Sequence, residues 1–298
     1  MIDIEIMQDA SEIIKYDSNR IPYAVQERWL SDYTNMRALS HWHEDFEWIY
    51  VMEGQMNYEI NGKEVLLSTG DILFVNSKQL HFGYAHRQRE CHFIVLLFHP
   101  ELFQCSIAMY QNDVQPVVEN KGLEFLLVRK GADGAEDLAS LIEKLVQLRQ
   151  EGERTESYGL IGIFYELWDR IRVQLDRQGD MLYETGDYSE VVLQKQMITF
   201  IYKHYQEQLS LEDIANSGNI CRSKCCRIFQ KYLQQSPIDY LNAYRLEISK
   251  NLLVNTSYSI TQIALSCGYN YTSYFSRAFL KKYKESPSEF RKRMARAS

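Results

Sequence analysis

The spacing of apolar residues changes character along the chain. From Trp48 to His99 it is strand-like: WIYVMEG, QMNYEING, KEVLLSTG, DILFVNS and CHFIVLLFH are aromatic or β-branched runs, with turn residues at Gly54, Asn61-Gly62 and Gly70. Runs of this kind at intervals of about 8–12 residues predict a small antiparallel barrel or sandwich. Asn61-Gly62, between two such runs, is the firmest hairpin signal. Over residues 136–176 the period becomes helical. Leu138, Leu141, Ile142, Leu145 and Leu148 share one stripe, and Leu160, Ile163, Phe164, Leu167, Ile171 and Leu175 share another, which predicts two amphipathic helices. Residues 1 to about 30 show no clear period and are the candidate mobile arm.

The last hundred residues contain a repeat. Ser210–Tyr240 matches Ser259–Phe290: Ile214-Ala215 pairs with Ile263-Ala264 at an offset of 49, and Ser223, Arg227, Phe229, Lys231 and Ser236-Pro237 pair with Ser273, Arg277, Phe279, Lys281 and Ser286-Pro287 at an offset of 50. The alignment places one inserted residue just before the glycine. Each copy predicts two short helices around a tight turn. Ser210 with Asp213, and Ser259 with Gln262, stand where an N-cap and its reciprocal partner stand. Gly218 and Gly268 then end the first helix in the left-handed conformation. In the second helix, Cys225, Ile228, Phe229 and Tyr232 form an apolar stripe in one copy, as do Tyr274, Phe275, Ala278 and Phe279 in the other. The opposite faces carry Arg222, Ser223, Cys226 and Arg227, and Thr272, Ser273, Ser276 and Arg277. This is the helix-turn-helix pattern, whose second helix enters the major groove. Structural hairpins would show the same apolar stripes; an arginine at the same place in both copies favours DNA.

Composition sharpens this division. Apolar residues make up 45% and charged residues 24%, which excludes a disordered or low-complexity chain. The net charge of −7 conceals an asymmetry. From Asp187 onward there are 16 Lys and Arg against 9 Asp and Glu, leaving 17 against 31 in residues 1–186. An acidic body with a basic tail suits phosphate contacts made by the tail alone. The acidic N-terminus and the lack of about 18 uninterrupted apolar residues predict no signal peptide, no membrane partner and a cytoplasmic location. The six cysteines, at 91, 105, 221, 225, 226 and 267, have no framework spacing and are expected to be reduced thiols. CRSKCC, Cys221–Cys226, has the look of a metal or redox cluster but lacks a nearby fourth ligand.

On these residues, Tyr188–Arg293 resembles the DNA-binding domain of the AraC/XylS family of bacterial transcription regulators. The resemblance implies two helix-turn-helix units held by a long central helix, here Pro237 to about Asn255. By position it implies base-facing Ser223, Cys226 and Arg227 in the first unit and Thr272, Ser273 and Arg277 in the second. Arg222, Lys224 and Asn270 would be further DNA contacts. Gln234 and Lys284 depart from the family, which often has glycine there. The family further implies a homodimer formed through the helix pair of residues 136–176, RNA polymerase as a partner, and activation of catabolic genes. Residues 1–180 would then be an effector-binding and dimerisation domain and residues 188–298 the DNA-binding domain, with Arg177–Asp187 as linker.

The stretch HWHEDFEWIYVMEG resembles the first cupin motif, with His41, His43, Glu47 and Gly54 in place. The second motif is partly present: Gly70 and His81 match, while Asn76 and Lys78 replace Pro and Gly. In metal-binding cupins the equivalent residues ligate one ion, so His41, His43, Glu47 and His81 are the implied set. His41 and His43 share a strand face, which supports convergence. Three readings remain open: a pocket for a small organic effector, most often a sugar in this family; an effector with a divalent metal; and histidines satisfied within the fold. Arg37 joins the four as a candidate effector contact, with Trp42, Trp48, Tyr50 and Tyr58 as a stacking wall. The fold class predicted is α+β: a cupin-like antiparallel β-barrel with a helical dimerisation segment, then an all-α domain of two helix-turn-helix units. The expected function is a non-enzymatic, effector-controlled regulator binding double-stranded DNA. The alternative is a metal-dependent cupin enzyme or metal sensor fused to a DNA-binding tail.

Overall fold

The computed structural model describes residues 11–297 apart from 13, 121, 151–156, 179–188 and 234. From Glu12 onward the chain divides into two compact units at Tyr188 and Ser189. Most of the expected linker, and Gln234, lie outside the described residues; Arg177 belongs to a helix.

The first unit contains β1 (Tyr23–Trp29), β2 (Phe46–Ile60), β3 (Lys63–Ser68), β4 (Ile72–Val75), β5 (His81–Ala85), β6 (Cys91–Phe98) and β7 (Phe125–Val128). All ladders are antiparallel, in the order β1-β6-β2-β4-β7, while β3 and β5 flank the far half of β2. The two runs expected on either side of Gly54 are therefore one 15-residue strand shared by both parts of the sheet. Gly54 bends this strand instead of ending it. It follows a register shift between Val51 and Glu53, has φ +91°, and approaches the Glu90 carbonyl so closely that a Cβ would come within 2.6 Å. Asn61 and Gly62, at φ +46° and +84°, make the expected two-residue hairpin between Ile60 and Lys63.

The expected mobile arm needs correction. Tyr23–Trp29 is a strand paired with β6 along its whole length, and residues 1–10 lie outside the described set.

After the short helical turns α1 (Ile107–Met109) and α2 (Gln115–Glu119) come α3 (Ala135–Gln150) and α4 (Tyr158–Gln178). Their stripes pack on one face of the sheet. Leu138, Ile142, Leu145, Ile163, Phe164, Leu167 and Ile171 are buried with Tyr23, Phe46, Trp48, Phe74, Leu96 and Phe98. Trp168 stacks on Phe46 with ring centroids 4.9 Å apart. Each large side chain buried this way stabilises the unit by about 1.5–3 kcal/mol.

The second unit is all helical: α5 (Ser189–His204), α6 (Leu211–Ser217), α7 (Arg222–Leu233), α8 (Pro237–Asn255), α9 (Ile260–Ser266), α10 (Thr272–Tyr283) and α11 (Pro287–Ala297). Both capping boxes form, Ser210 with Asp213 and Ser259 with Gln262. The turns differ from expectation. Gly218 has φ −97°, and the left-handed residues are Asn219 (φ +52°) and Gly268 (φ +77°). The bond from Ile220 N–H to Ala215 O matches that from Tyr269 N–H to Ala264 O, at an offset of 49. The extra residue thus lies after the glycine, in the turn at Asn270-Tyr271, because the backbone bonds closing each helix outrank the identity of the glycine. Cys225, Ile228, Phe229 and Tyr232 are buried as the stripe predicts, and so are Phe275 and Phe279. Tyr274, expected in that stripe, is 51% exposed.

Candidate ligand pocket and nucleic-acid interface

Strand alternation sends successive side chains of β1, β2 and β6 to opposite faces. Phe46 and Trp48, Ile94 and Leu96, and Tyr23 and Val25 go to the helical layer. Glu47 and Ile49, Val95 and Leu97, and Gln26 and Arg28 line a cavity of about 110 Å³ on the other face. That is near the scale of cavities that accept one small ring. Tyr33, His41 and Tyr58 complete its polar wall, with Met56 and Phe93 among its apolar residues.

His41, His43, Glu47 and His81 are all buried, and their ligand atoms lie within 4.8 Å of one another. A bridge between His41 and His81 brings the two motifs together. Each imidazole is oriented by a backbone carbonyl: Nδ1 of His41, His43 and His81 lies 2.7, 3.1 and 2.9 Å from the carbonyls of Leu39, Asp45 and Gln79. A carbonyl only accepts, so each Nδ1 carries hydrogen and each Nε2 is turned to the centre.

Glu47 is the hub. Its Oε2 lies 2.9 Å from Nε2 of both His43 and His81, and the Tyr58 hydroxyl donates to Oε1. Burial opposes the charge on Glu47, but His81 and His43 outweigh it and hold the carboxyl well below its ordinary range. Burial likewise opposes the charge on His43, yet its hydrogen bond to Glu47 and the Glu47 charge raise it to about 9. For His41 and His81 burial prevails; His41 falls to about 4 and His81 is lowered. His41 Nε2 sits 3.2 Å from Glu12, which burial raises to about 7.

The donor set fits a divalent cation. His81 Nε2 lies 2.9 Å from the Glu47 carboxylate and is buried without a hydrogen-bond partner. Three imidazole nitrogens and a carboxylate converging within 4.8 Å, with each Nδ1 already turned to a carbonyl, are a donor set that a divalent cation satisfies.

Arg37 is not part of this pocket. It stacks on Phe82 and Tyr84, at 4.3 and 5.0 Å from their ring centroids, on the face of β5 opposite Gly83, which lines the cavity. Trp48 and Tyr50 face the helical layer and Trp42 lies off the cavity wall, so Tyr58 alone of the expected stacking wall lines it. The sequence reading missed Glu12, Gln26, Arg28 and Tyr33. For Gln26 and Arg28 the signal was the alternation in YAVQERW, which turns both to the cavity while Glu27 between them pairs with His92.

Asn76 and Lys78, the two departures from the second motif, keep its shape. Asn76 donates to the carbonyls of Val117 and Leu123 at 2.7 and 2.9 Å. Lys78 takes φ +64° where the motif has glycine, and its N–H bonds the His43 carbonyl at 2.7 Å.

In the second unit, Arg222, Ser223 and Arg227 of α7 and Ser273 and Arg277 of α10 are exposed, as is Asn270; Lys224, Cys226 and Thr272 are half-buried. The equivalent arginines differ. Arg227 pairs with Glu190 of α5 at 3.3 Å, and the same carboxylate holds Lys231 at 2.8 Å. Arg277 has no ion pair among the described residues and reaches back to the Ser273 carbonyl at 3.3 Å. The cysteines are all free thiols; Cys225 is core, pushed up to about 12 by burial, and no cysteine joins a metal-ligating group among the described residues. Among those residues no helix is long and apolar enough to cross a membrane.

Comparison with known proteins bears on both units. Residues 25–167 match the model of the AraC-like ligand binding domain, and residues 214–293 that of a helix-turn-helix domain. An uncharacterised HTH-type transcriptional regulator, YdeC of Bacillus subtilis, is 27% identical over 98% of this chain and 99% of its own length. The HTH-type transcriptional activator RhaS of an Enterobacter species is 27% identical over 93% of this chain and 94% of its own. The lactose operon transcription activator of Staphylococcus xylosus is 29% identical over 52% and 55%. With a ligand-binding unit followed by paired helix-turn-helix motifs, and two family models that together span about three quarters of its length, the chain belongs to the AraC family of DNA-binding transcription regulators.

Proposed function

We propose that this protein activates transcription when a small polyhydroxylated molecule, a sugar or sugar derivative, occupies the cavity of its first unit. The observation that carries the reading is the cavity itself: it is walled by Glu47, His41, Tyr58 and Arg28 inside a unit of the ligand-binding type. Carboxylate and imidazole groups suit ligand hydroxyls, and the apolar wall suits the C–H faces of a sugar. Two relatives are named as activators, one of them of the lactose operon, which supports both the class of ligand and the sign of control.

His41, His43, Glu47 and His81 would hold a divalent cation, which supplies a Lewis-acid anchor for a ligand oxygen. The chain's own groups do the rest: backbone carbonyls fix the imidazoles, Tyr58 orients Glu47, and the apolar wall excludes water. Relatives along nearly the whole chain are named as transcription regulators, which supports a regulator and not an enzyme.

On DNA, Ser223, Cys226 and Arg227 of α7 and Thr272, Ser273 and Arg277 of α10 are the proposed base-reading residues, with Arg222, Lys224 and Asn270 as supporting contacts. A homodimer and contact with RNA polymerase complete the reading. Ligand would act by favouring one of two arrangements of the protein, shifting a pre-existing population.

The test is to enrich a binding site from random duplexes and measure affinity with and without candidate sugars. Arg277→Ala should cost about 1–3 kcal/mol on the enriched duplex and far less on random DNA. An enriched site whose affinity no ligand alters would sink the effector reading, and equal losses on both DNAs would remove Arg277 from base recognition.

A further inference from the structure

Among the described residues, one charged group in the cavity has no ion-pair partner. Arg28 lies on β1, on the inner face with Gln26, and its NH2 group donates to the Gln26 amide oxygen at 2.6 Å. That acceptor is neutral. The Arg28 Nε is buried with no hydrogen-bond partner, and among the described residues Arg28 forms no ion pair. The nearby carboxylates are already engaged: Glu47 with His43, His81 and Tyr58, and Glu12 with His41. Lys15 adds a second positive charge to the same lining.

A guanidinium stays ionised at any pH a protein survives, so it cannot relieve its burial by losing a proton. A shielded N–H without an acceptor weakens the unit unless something arrives to accept it. The planar fork of arginine matches a carboxylate through two parallel hydrogen bonds. Elsewhere in the lining, Glu12, His41 and Tyr58 offer partners for hydroxyl groups, and a second anion would be repelled by Glu47.

We infer that the effector carries one carboxylate, anchored by Arg28, with hydroxyls directed to the other polar groups of the lining: a sugar acid or a hydroxy acid of similar size. This rests on the effector-pocket reading above and narrows its ligand class from sugars at large to acidic ones.

The experiment is calorimetric titration of the full-length protein, metal-loaded and chelator-washed, with matched pairs: glucuronate and glucose, galacturonate and galactose, gluconate and sorbitol. Serine is included to ask whether an ammonium can replace the hydroxyls. The expected result is that at least one acid binds ten or more times tighter than its neutral partner. Arg28→Gln should erase that ratio, and Arg28→Lys, which keeps the charge without the fork, should retain part of it. Tryptophan-monitored melting of each variant shows whether the unit remains folded. If a neutral sugar binds as tightly as its acid and Arg28→Gln leaves the ratio alone, the carboxylate is wrong while the effector pocket stands. An acid preference that survives Arg28→Gln removes Arg28 as the anchor. If neither acids nor neutral partners bind, the polyhydroxylated effector falls together with this inference. Serine binding in place of the hydroxy acids would retain the carboxylate and overturn the hydroxyl half.

Discussion

Glu47, buried in the first unit, and Glu247, half-buried in the second, are both carboxylates ringed by nitrogen, yet they do different work. Glu247 is closed. Its Oε1 receives Lys282 and the Tyr283 hydroxyl, both at 2.9 Å, and its Oε2 meets Lys250 at 2.9 Å. Lys282 also donates to the Ala243 carbonyl at 3.2 Å, tying α10 to the central helix. Glu47 is open: one of its neighbours, His81 Nε2, is buried without a hydrogen-bond partner, and a cavity adjoins it. An ammonium has hydrogens to donate and no lone pair, whereas imidazole can give up its proton and bind a cation or ligand. A closed cluster of donors around one carboxylate reads as structure, and an open cluster of imidazoles as a site.

The largest expected effect attacks the closed cluster. Glu247→Ala leaves the buried Lys250 and the half-buried Lys282 without their anion and should cost the second unit about 3–5 kcal/mol. All four tryptophans, Trp29, Trp42, Trp48 and Trp168, belong to the first unit, so their fluorescence follows that unit alone while helical circular dichroism follows both. The variant should lose a helical transition at lower temperature with the tryptophan transition unmoved. A loss under 1 kcal/mol would mean that the lysines find water easily and that the cluster is not closed.

Between pH 7 and 9 the contrast should appear in wild-type, chelator-washed protein. His43 is raised from 6.5 to about 9, so its stabilisation is complete below pH 6.5 and disappears as pH climbs through 9. Glu59, raised by burial to about 8, changes stability in the same direction. Glu247 is lowered to about 2, because its two lysines outweigh its burial; its contribution is intact above pH 4.5 and is lost only as pH falls below that. The tryptophan transition should therefore weaken by on the order of 2–3 kcal/mol from pH 7 to 9, with the second unit unaffected by its carboxylate. A tryptophan transition flat across that range would show that His43 is not charged in the fold.

A divalent metal should discriminate next. Zinc or nickel at about 100 times its dissociation constant should stabilise the first unit by about 2.7 kcal/mol and leave the second unchanged. His81→Ala should abolish the shift and Glu247→Gln should not. If His81→Ala protein still responds, the cation sits elsewhere.

How much of this was legible in the sequence follows from what each residue had to say locally. The paired helix-turn-helix units were, because caps such as Ser210 and Ser259 and stripes such as Ile228 and Phe229 are local signals with fixed periods. The four-residue cluster was legible as a motif, although its tautomers were not, since these depend on carbonyls that only the fold positions. Strand β1 was missed because Gln26 and Arg28 face inwards, so a polar position no longer marked the solvent side. Arg37 was misplaced for a related reason: its stacking partners sit on β5, and which face of β5 turns inward depends on the register of Tyr58 against Gly83. The insertion in the repeat was put one turn too early because glycine identity was weighted above the bonds that close the helix.

The smallest effect compares two lysines in left-handed backbone, one in each unit. Lys78 has φ +64° and Lys284 φ +63°, each where the related motif has glycine. A side chain in this region costs about 1–2 kcal/mol, partly offset because glycine loses more freedom on folding. Lys284 caps α10, its N–H bonding the Leu280 carbonyl at 2.9 Å, and glycine there should keep that bond without the strain. Lys284→Gly should therefore raise the urea midpoint of the helical transition by the equivalent of roughly 0.5–1 kcal/mol. Lys78→Gly should gain less in the tryptophan transition, because it gives up the exposed pair of Lys78 with Glu44 at 3.0 Å. Lys284→Gly failing to stabilise would mean that the lysine contributes something the strain argument omits, and phosphate contact on DNA is then the property to measure. A larger gain at Lys78 would reverse the ranking and make strain in the loop beside His43 a feature of the ligand site.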